Sequence, residues 1–432
     1  MFQLRRVAAR VVASAAALVG LGLTVDASAG IDTRLVAAGL NAPLLATAPV
    51  ADGRVFIGEK GGTIKVVQGG STSTFLSLAV DTEGERGLLG MAFDPGYADP
   101  TSPGHRRFFV DYTDAVSKDT VVASYRTSAA NPSLADAASR VEVLRIAQFS
   151  GAAYHKGGWI GFKPGDNDHL FITSGDGQTS GNAQLLSNLF GKLLRVNING
   201  DDFPADAQRN YAVPAGNPFA GVASVRGEIF ALGLRNPWRG GFDPLTGDLW
   251  LADVGDRSRE EMNFIAGSSN GGQNFGWRLR EGRIATPGVS DPAVAGLVEP
   301  VFDYGRSWGG AIVGGPVVRG GNSGLDGQLV FADYISGRIW SAPANAVPAS
   351  IADATELTAL LDAGQAGALS RVASFGSGAG GELFLVDYAS GKVVQVVPEP
   401  ALVWLWLLGL AAVSTRQRWM RTMRPALLSV SR

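Results

Sequence analysis

Three stretches of the chain can be laid over one another: Gly247-Asp-Leu-Trp-Leu-Ala-Asp253, Gly327-Gln-Leu-Val-Phe-Ala-Asp333 and Gly381-Glu-Leu-Phe-Leu-Val-Asp387. The last two continue alike, as Tyr334-Ile-Ser-Gly-Arg-Ile-Trp340 and Tyr388-Ala-Ser-Gly-Lys-Val-Val394. Each reads as a turn glycine, a short apolar strand, an aspartate at the strand end, a turn and a second strand. Looser copies begin at Gly53 and Asp168. Gly327 and Gly381 lie 54 residues apart, and Gly247 and Gly327 lie 80 apart. Such spacings suit propeller blades of four short strands with insertions, and residues 30–397 accommodate six units of about 60 residues. The pattern predicts an all-β, six-bladed β-propeller. A closed ring leaves only short protected edges and gathers loops from every blade around one axis, so residues distant in sequence meet there. Convincing helical patterns are few, with short helices expected at 182–189 and 352–363.

Composition narrows the chemistry. Lys+Arg 37 against Asp+Glu 39 gives a formal net charge of −2, so no basic field is available to hold nucleic acid. Cysteine is absent, which excludes a disulfide scaffold, a cysteine-ligated zinc, an iron–sulfur cluster and a thiol nucleophile. The 58 glycines follow no collagen-like period and hydrophobic residues make up 46%, as in a turn-rich globular protein rather than a disordered one.

Both ends read as address labels. Arg5, Arg6 and Arg10, an apolar run from Val11 to Val25, and Ala27-Ser28-Ala29 make residues 1–29 a secretory signal peptide, cut before Gly30. The alternative is a membrane anchor, for which the run falls short of about 20 residues. At the other end, Pro398-Glu399-Pro400, an apolar segment at 401–414 and Arg416, Arg418, Arg421 and Arg424 resemble the PEP-CTERM sorting tag of Gram-negative envelope proteins. That resemblance implies recognition of residues 398–432 by an exosortase-like transpeptidase; the alternative is a plain tail anchor. Both readings place the body outside the cytoplasm, in the periplasm, cell envelope or medium.

Five segments carry a second resemblance: Glu85-Arg-Gly-Leu-Leu-Gly-Met-Ala-Phe-Asp-Pro95, His155-Lys-Gly-Gly158 with Gly175-Asp-Gly177, Gly191-Lys-Leu-Leu-Arg-Val196, Ala231-Leu-Gly-Leu-Arg-Asn-Pro237, and Glu260-Glu-Met-Asn263 with Asn274-Phe-Gly-Trp277. In this order they are similar to the glucose/sorbosone dehydrogenase family, the soluble quinoprotein aldose dehydrogenases that use pyrroloquinoline quinone (PQQ) and Ca²⁺. The resemblance implies a six-bladed propeller with the quinone over its channel. It also implies oxidation of an aldose C1 hydroxyl to a lactone, with electrons passing to an external acceptor.

Of the three histidines, His105 falls in a surface turn and His169 at a strand start, both read as structural or solvated. His155 precedes Gly157-Gly158, where backbone can approach a ligand closely. An imidazole titrating near 6.5 suits a general base, and the resemblance gives His155 that role. Arg235 offers a guanidinium fork to the quinone carboxylates and Asn236 both a donor and an acceptor; the resemblance makes them cofactor contacts, together with Arg371. Asp253, Asp256, Glu260 and Glu261 pack four carboxylates into nine residues, an oxygen-rich set suited to a hard divalent ion. By resemblance, Gly255 and Asp256 turn backbone carbonyls to the calcium that bridges to the quinone, and Glu260 and Glu261 ligate a second, structural ion. The alternative is a solvated acidic turn paired with Arg257 and Arg259.

The chain also departs from the family. Glu85 and Tyr154, assigned to substrate binding, stand where glucose-oxidising members have Gln and Asp, and Phe275 replaces a common Tyr. The fifth-blade position that carries a Lys there holds Ile335, with Arg338 close by, and only Arg371 remains of two sixth-blade arginines. Trp238, Trp277 and Trp308 lie in glycine-rich loops, where they pack between blades or stack on sugar or quinone. Two other readings stay open: a non-catalytic propeller that binds envelope polysaccharide or a protein partner, and a calcium-dependent lactonase-type propeller with side-chain carboxylates at the channel.

Overall fold

A computed structural model describes residues 30–399 except 51, 150, 292 and 322. The signal peptide expected at 1–29 and nearly all of the sorting segment expected at 398–432 lie outside the described residues. Among the described residues no helix is long and apolar enough to cross a membrane.

Residues Ile31–Val397 form one compact unit with six four-stranded antiparallel sheets and a two-stranded hairpin, Arg280–Glu281 with Ile284–Ala285, among the described residues. The innermost strands are Pro43–Thr47, Leu88–Phe93, Ile160–Phe162, Pro237–Phe242, Ile312–Val317 and Val372–Ser377, which open blades one to six. These six strands contact one another in succession around the axis. Apolar faces of neighbouring blades fill the space between them, as where Phe56, Phe75 and Phe108 join blades one and two. Glycine allows the inner strands to meet: a Cβ on Gly376 would collide with the carbonyl of Ala46. The sixth sheet takes its outer strand, Ile31–Ala37, from the start of the chain and pairs it with Lys392–Pro398.

The repeated aspartates explain themselves. Asp253, Asp333 and Asp387 end the second strands of blades four, five and six, and all are buried. Each accepts two consecutive backbone N–H groups from the loop that enters its own blade. Asp253 takes Arg235 and Asn236 at 2.8 and 2.6 Å, Asp333 takes Gly310 and Ala311 at 2.8 Å each, and Asp387 takes Ser370 and Arg371 at 2.8 and 3.0 Å. A buried carboxylate satisfied in this way fixes the loop rigidly. The repeat therefore builds an arc of anchored loops across blades four to six at one mouth of the channel.

Neither expected helix forms as drawn. Residues 182–189 hold only the end of a 3₁₀ turn, Ser180–Gln184, because the carbonyls of Asn182 and Ala183 turn to the buried Lys192 ammonium at 2.9 and 3.1 Å. Residues 352–363 are divided into a 3₁₀ turn (Ile351–Asp353), a short strand (Thr355–Glu356) and one helical turn (Thr358–Asp362). Blade five needs a fourth strand, and pairing with Trp340 and Ser341 overrides the local helical preference.

Charged groups are buried on the inner strand of blade four and the second strand of blade two. Arg239, 4% exposed, donates to Ser374 Oγ at 3.0 Å and to the carbonyls of Trp238 and Leu44 at 2.9 Å each. Asp111 is fully buried and, among the described residues, has no hydrogen-bond partner for either oxygen. Burial pushes its carboxyl from the ordinary 3.8 up to about 8, against the opposing charges of Arg239 and Lys156. A folded-state value above the unfolded one means the fold holds an extra proton in that window and loses stability as pH rises through it. Asp111→Asn removes the titration. The melting temperature of the variant relative to the parent should therefore climb between about pH 4 and pH 8 and level off above; a constant difference would show ordinary ionisation.

Candidate active site

Two chambers open among the anchored loops. The axial one, about 270 Å³, is lined by Lys60, Glu85, Asn236, Trp238, Tyr334 and Tyr388 among others. The lateral one, about 410 Å³, is lined by His155, Asp176, Arg235, Asp256, Trp277 and Arg278 among others. Arg235 and Asn236, consecutive residues held by Asp253, face one chamber each.

His155 sits in the left-handed region, φ 57°, a conformation that costs a β-carbon-bearing residue about 1–2 kcal/mol. The surroundings impose it. Its N–H donates to Glu85 Oε2 at 2.7 Å, and its carbonyl packs where a Cβ on Gly175 would be. Its Nδ1 lies 2.7 Å from Asp176 Oδ1. The same carboxylate accepts the Gln178 N–H at 2.8 Å and, through Oδ2, the indole N–H of Trp277 at 2.8 Å. Surrounded by donors, Asp176 acts as an acceptor, so Nδ1 carries the proton and Nε2 presents its lone pair.

Glu85 joins three parts of the chain. Besides His155 it accepts Lys156 N–H at 3.3 Å and Asn236 Nδ2 at 3.2 Å, while Asn236 Oδ1 accepts Gly157 N–H at 3.0 Å. The Arg235 guanidinium donates to the Val254 carbonyl at 3.1 Å and to Asp256 Oδ1 at 3.0 Å, and lies 5.5 Å from the centre of the Trp277 ring. Its Nε is buried without a partner.

The turn at 255–259 is shaped by a residue that sequence reading missed. Glu281 Oε1 accepts the N–H groups of Asp256, Arg257, Ser258 and Arg259 at 2.8, 2.7, 2.7 and 3.1 Å. Those donors hold the Glu281 carboxyl below its ordinary value despite its burial. Across each trans peptide the carbonyl points opposite to the N–H, so the carbonyls of Gly255 and Asp256 are directed away from Glu281. Carbonyls so directed, beside the Asp256 carboxylate, are the oxygen donors a hard cation takes.

Glu260 and Glu261, expected as ligands of one ion, occupy separate surroundings. They are consecutive on the strand Arg259–Ile265 and so point to opposite faces of the sheet. Glu260 pairs with Arg306 and accepts Ile312 N–H at 3.0 Å; Glu261 accepts Asn263 Nδ2 at 2.8 Å and Gly282 N–H at 2.9 Å. Burial pushes the Glu260 carboxyl up to about 7. Burial also raises Glu261, reinforced by the charge of Asp253, its cross-strand neighbour. Among the described residues no three acidic or histidine side chains converge as a metal-ligating set.

The remaining expected residues divide. Arg371 is exposed at the channel mouth and lies 5.3 Å from the centre of the Tyr334 ring. Tyr154 is 50% exposed and outside both linings. Ile335 is exposed, and Arg338 is committed to Glu356 and to the faces of Trp308 and Trp340. His169 pairs with Asp166 at 2.8 Å, away from both chambers. Sequence reading missed Asp176, Lys60 and Glu281; only Asp176 had a local signal, the Gly-Asp-Gly turn closing an apolar strand.

Residues 40–339 match the family model described as Glucose / Sorbosone dehydrogenase. The HIPL2 protein of Arabidopsis thaliana is 30% identical over 316 residues, covering 59% of this chain and 43% of that protein. The aldose sugar dehydrogenase YliI of Escherichia coli is 30% identical over 255 residues, 56% of this chain and 62% of that one. The chain thus spans less than two thirds of the length of either relative. The PQQ-bound aldose sugar dehydrogenase of Streptomyces coelicolor has the same fold, with a TM-score of 0.64 and 22% identity over 85% of this chain and 97% of that one. The family match runs from just ahead of blade one to the third strand of blade five, and on that ground the chain belongs to the glucose/sorbosone dehydrogenase family.

Proposed function

We propose that the protein is an exported aldose dehydrogenase, dependent on PQQ and Ca²⁺, that oxidises the C1 hydroxyl of a sugar to a lactone. The observation that carries the reading is the His155–Asp176 pair, oriented with Nε2 free in the chamber that also holds Arg235. The residues present fit the group. Among the described residues Arg235 keeps a buried Nε without a partner, Asn236 borders the axial chamber, and the carbonyls of Gly255 and Asp256, directed away from Glu281, would serve calcium. The quinone would take the axial chamber beside Asn236, and the sugar the lateral chamber of about 410 Å³ beside His155 and Arg235, a volume within the range of small-molecule sites.

When bound, PQQ supplies a two-electron acceptor for the hydride leaving C1, and Ca²⁺ supplies Lewis-acid polarisation beside it. The chain's own residues do the rest. His155 Nε2 takes the C1 hydroxyl proton, Asp176 stabilises the imidazolium that forms, and Trp277 keeps Asp176 in place. Glu85 holds the backbone of His155 against Asn236, so base and cofactor contact keep a fixed separation.

Purified protein given PQQ, Ca²⁺, an aldose and an artificial dye should reduce the dye, and the absorbance of bound PQQ should change on addition of sugar. A chelator should abolish both effects and Ca²⁺ restore them. Absence of PQQ uptake, together with retention on a polysaccharide column, would overturn the redox reading and leave a binding propeller.

A further inference from the structure

The fifth-blade position expected to hold a cation holds the exposed Ile335, and Arg306 and Arg338 are each paired with a glutamate. A quinone with three carboxylates needs a cation at its anionic end, since an unpaired carboxylate in a partly dry pocket is costly. The axial chamber has a single Lys or Arg in its lining, Lys60, on the opposite side of the ring from blade four.

We infer that Lys60, at the end of the second strand of blade one, is the carboxylate-binding cation of this chain and replaces the missing blade-five lysine. This rests on the PQQ reading above.

Three observations carry it. Lys60 Nζ makes one hydrogen bond among the described residues, to the Gly84 carbonyl at 2.7 Å, which leaves two of its three ammonium donors for a ligand. Glu85, the nearest acid lining the chamber, has its carboxylate engaged by His155, Lys156 and Asn236, so the ammonium is not consumed in an internal ion pair. The 84–87 loop is also built around the side chain. Gly84 anchors Nζ, and Gly87, at φ 148°, has no Cβ where one would meet Lys60 Cγ at 2.7 Å. Burial lowers the Lys60 ammonium below its ordinary value, partly countered by the charge of Glu85, and an anion placed beside it would favour the charged form. Trp238, Tyr334 and Tyr388 supply apolar walls for a flat ring system, the two tyrosines meeting edge to face at 6.1 Å.

The test is equilibrium binding of PQQ to the full chain with Ca²⁺ present, measured by titration calorimetry without sugar or dye. Lys60→Met should weaken binding about 10- to 100-fold, the loss expected for one hydrogen bond to a charged group. Lys60→Arg should stay within a few-fold of the parent. The trimethyl ester of PQQ, which lacks the carboxylates, should bind parent and Lys60→Met alike. Equal affinity of parent and Lys60→Met for PQQ would overturn the assignment while leaving the dehydrogenase reading intact. Absence of PQQ binding by the parent would remove both. Should Lys60→Met fail to fold, Lys60→Arg and the ester series on the parent still decide: equal affinity of the parent for PQQ and its ester would overturn the assignment.

Discussion

Replacing His155 by asparagine is expected to lower kcat for dye reduction about 10²- to 10⁴-fold, the range for loss of a general base, with the fold retained. Asparagine is the informative substitution because position 155 has φ 57°, which asparagine tolerates better than most residues. The backbone contact to Glu85 then survives while the proton acceptor is lost. Alanine should give the same kinetic loss with an added stability cost from the strained backbone. Asp176→Asn should lower kcat about 10²-fold with little change in KM for the sugar. The amide keeps the shape beside Trp277 but cannot hold Nδ1–H as a carboxylate does. Unchanged kcat in His155→Asn would eliminate the proposed base.

The largest structural effect is expected at the axis. Arg239 joins the inner strands of blades one, four and six through Leu44, Trp238 and Ser374. Burial draws its guanidinium down to about 9, countered by the charge of Asp111. Arg239→Met fills the same space without the donors. It strands two carbonyls and, above about pH 8 where Asp111 ionises, removes the largest charge opposing that carboxylate, a change that costs about 3–5 kcal/mol when one partner of a buried charged set is lost. Denaturant titration should show this as a lower midpoint. At pH above about 8, adding Asp111→Asn to Arg239→Met should recover part of the loss, because the carboxyl that would ionise there is removed with it. Strict additivity of the two substitutions would show that Asp111 and Arg239 do not interact.

Much of the ring could be read from the sequence because its signal is local. The glycine, apolar run and aspartate of each repeat lie within seven residues, and the aspartate closes on a loop of its own blade. His155, Arg235 and Asn236 were legible through motifs and do meet at one mouth. What escaped depends on partners from elsewhere in the ring. Lys60 becomes a chamber residue only when the 84–87 loop folds over it, and Glu281 gains its role from a turn some 25 residues earlier. Glu260 and Glu261 are adjacent in sequence but not in surroundings, since a strand places neighbours on opposite sides. The short helices failed for a related reason, since Lys192 and the fourth strand of blade five outcompeted local preference.

The shared sixth sheet has a consequence for biogenesis. Ile31–Ala37 finds its neighbour only in Lys392–Pro398, so at about 5–20 residues per second a nascent chain carries an unmated β edge for roughly 20–70 s. Until the last strand emerges, the assembly is an open arc with two sticky rims, exposed to misjoining with other chains. Holding factors that cover such rims during synthesis or export would therefore raise yield, and trimming the closing strand should favour aggregation.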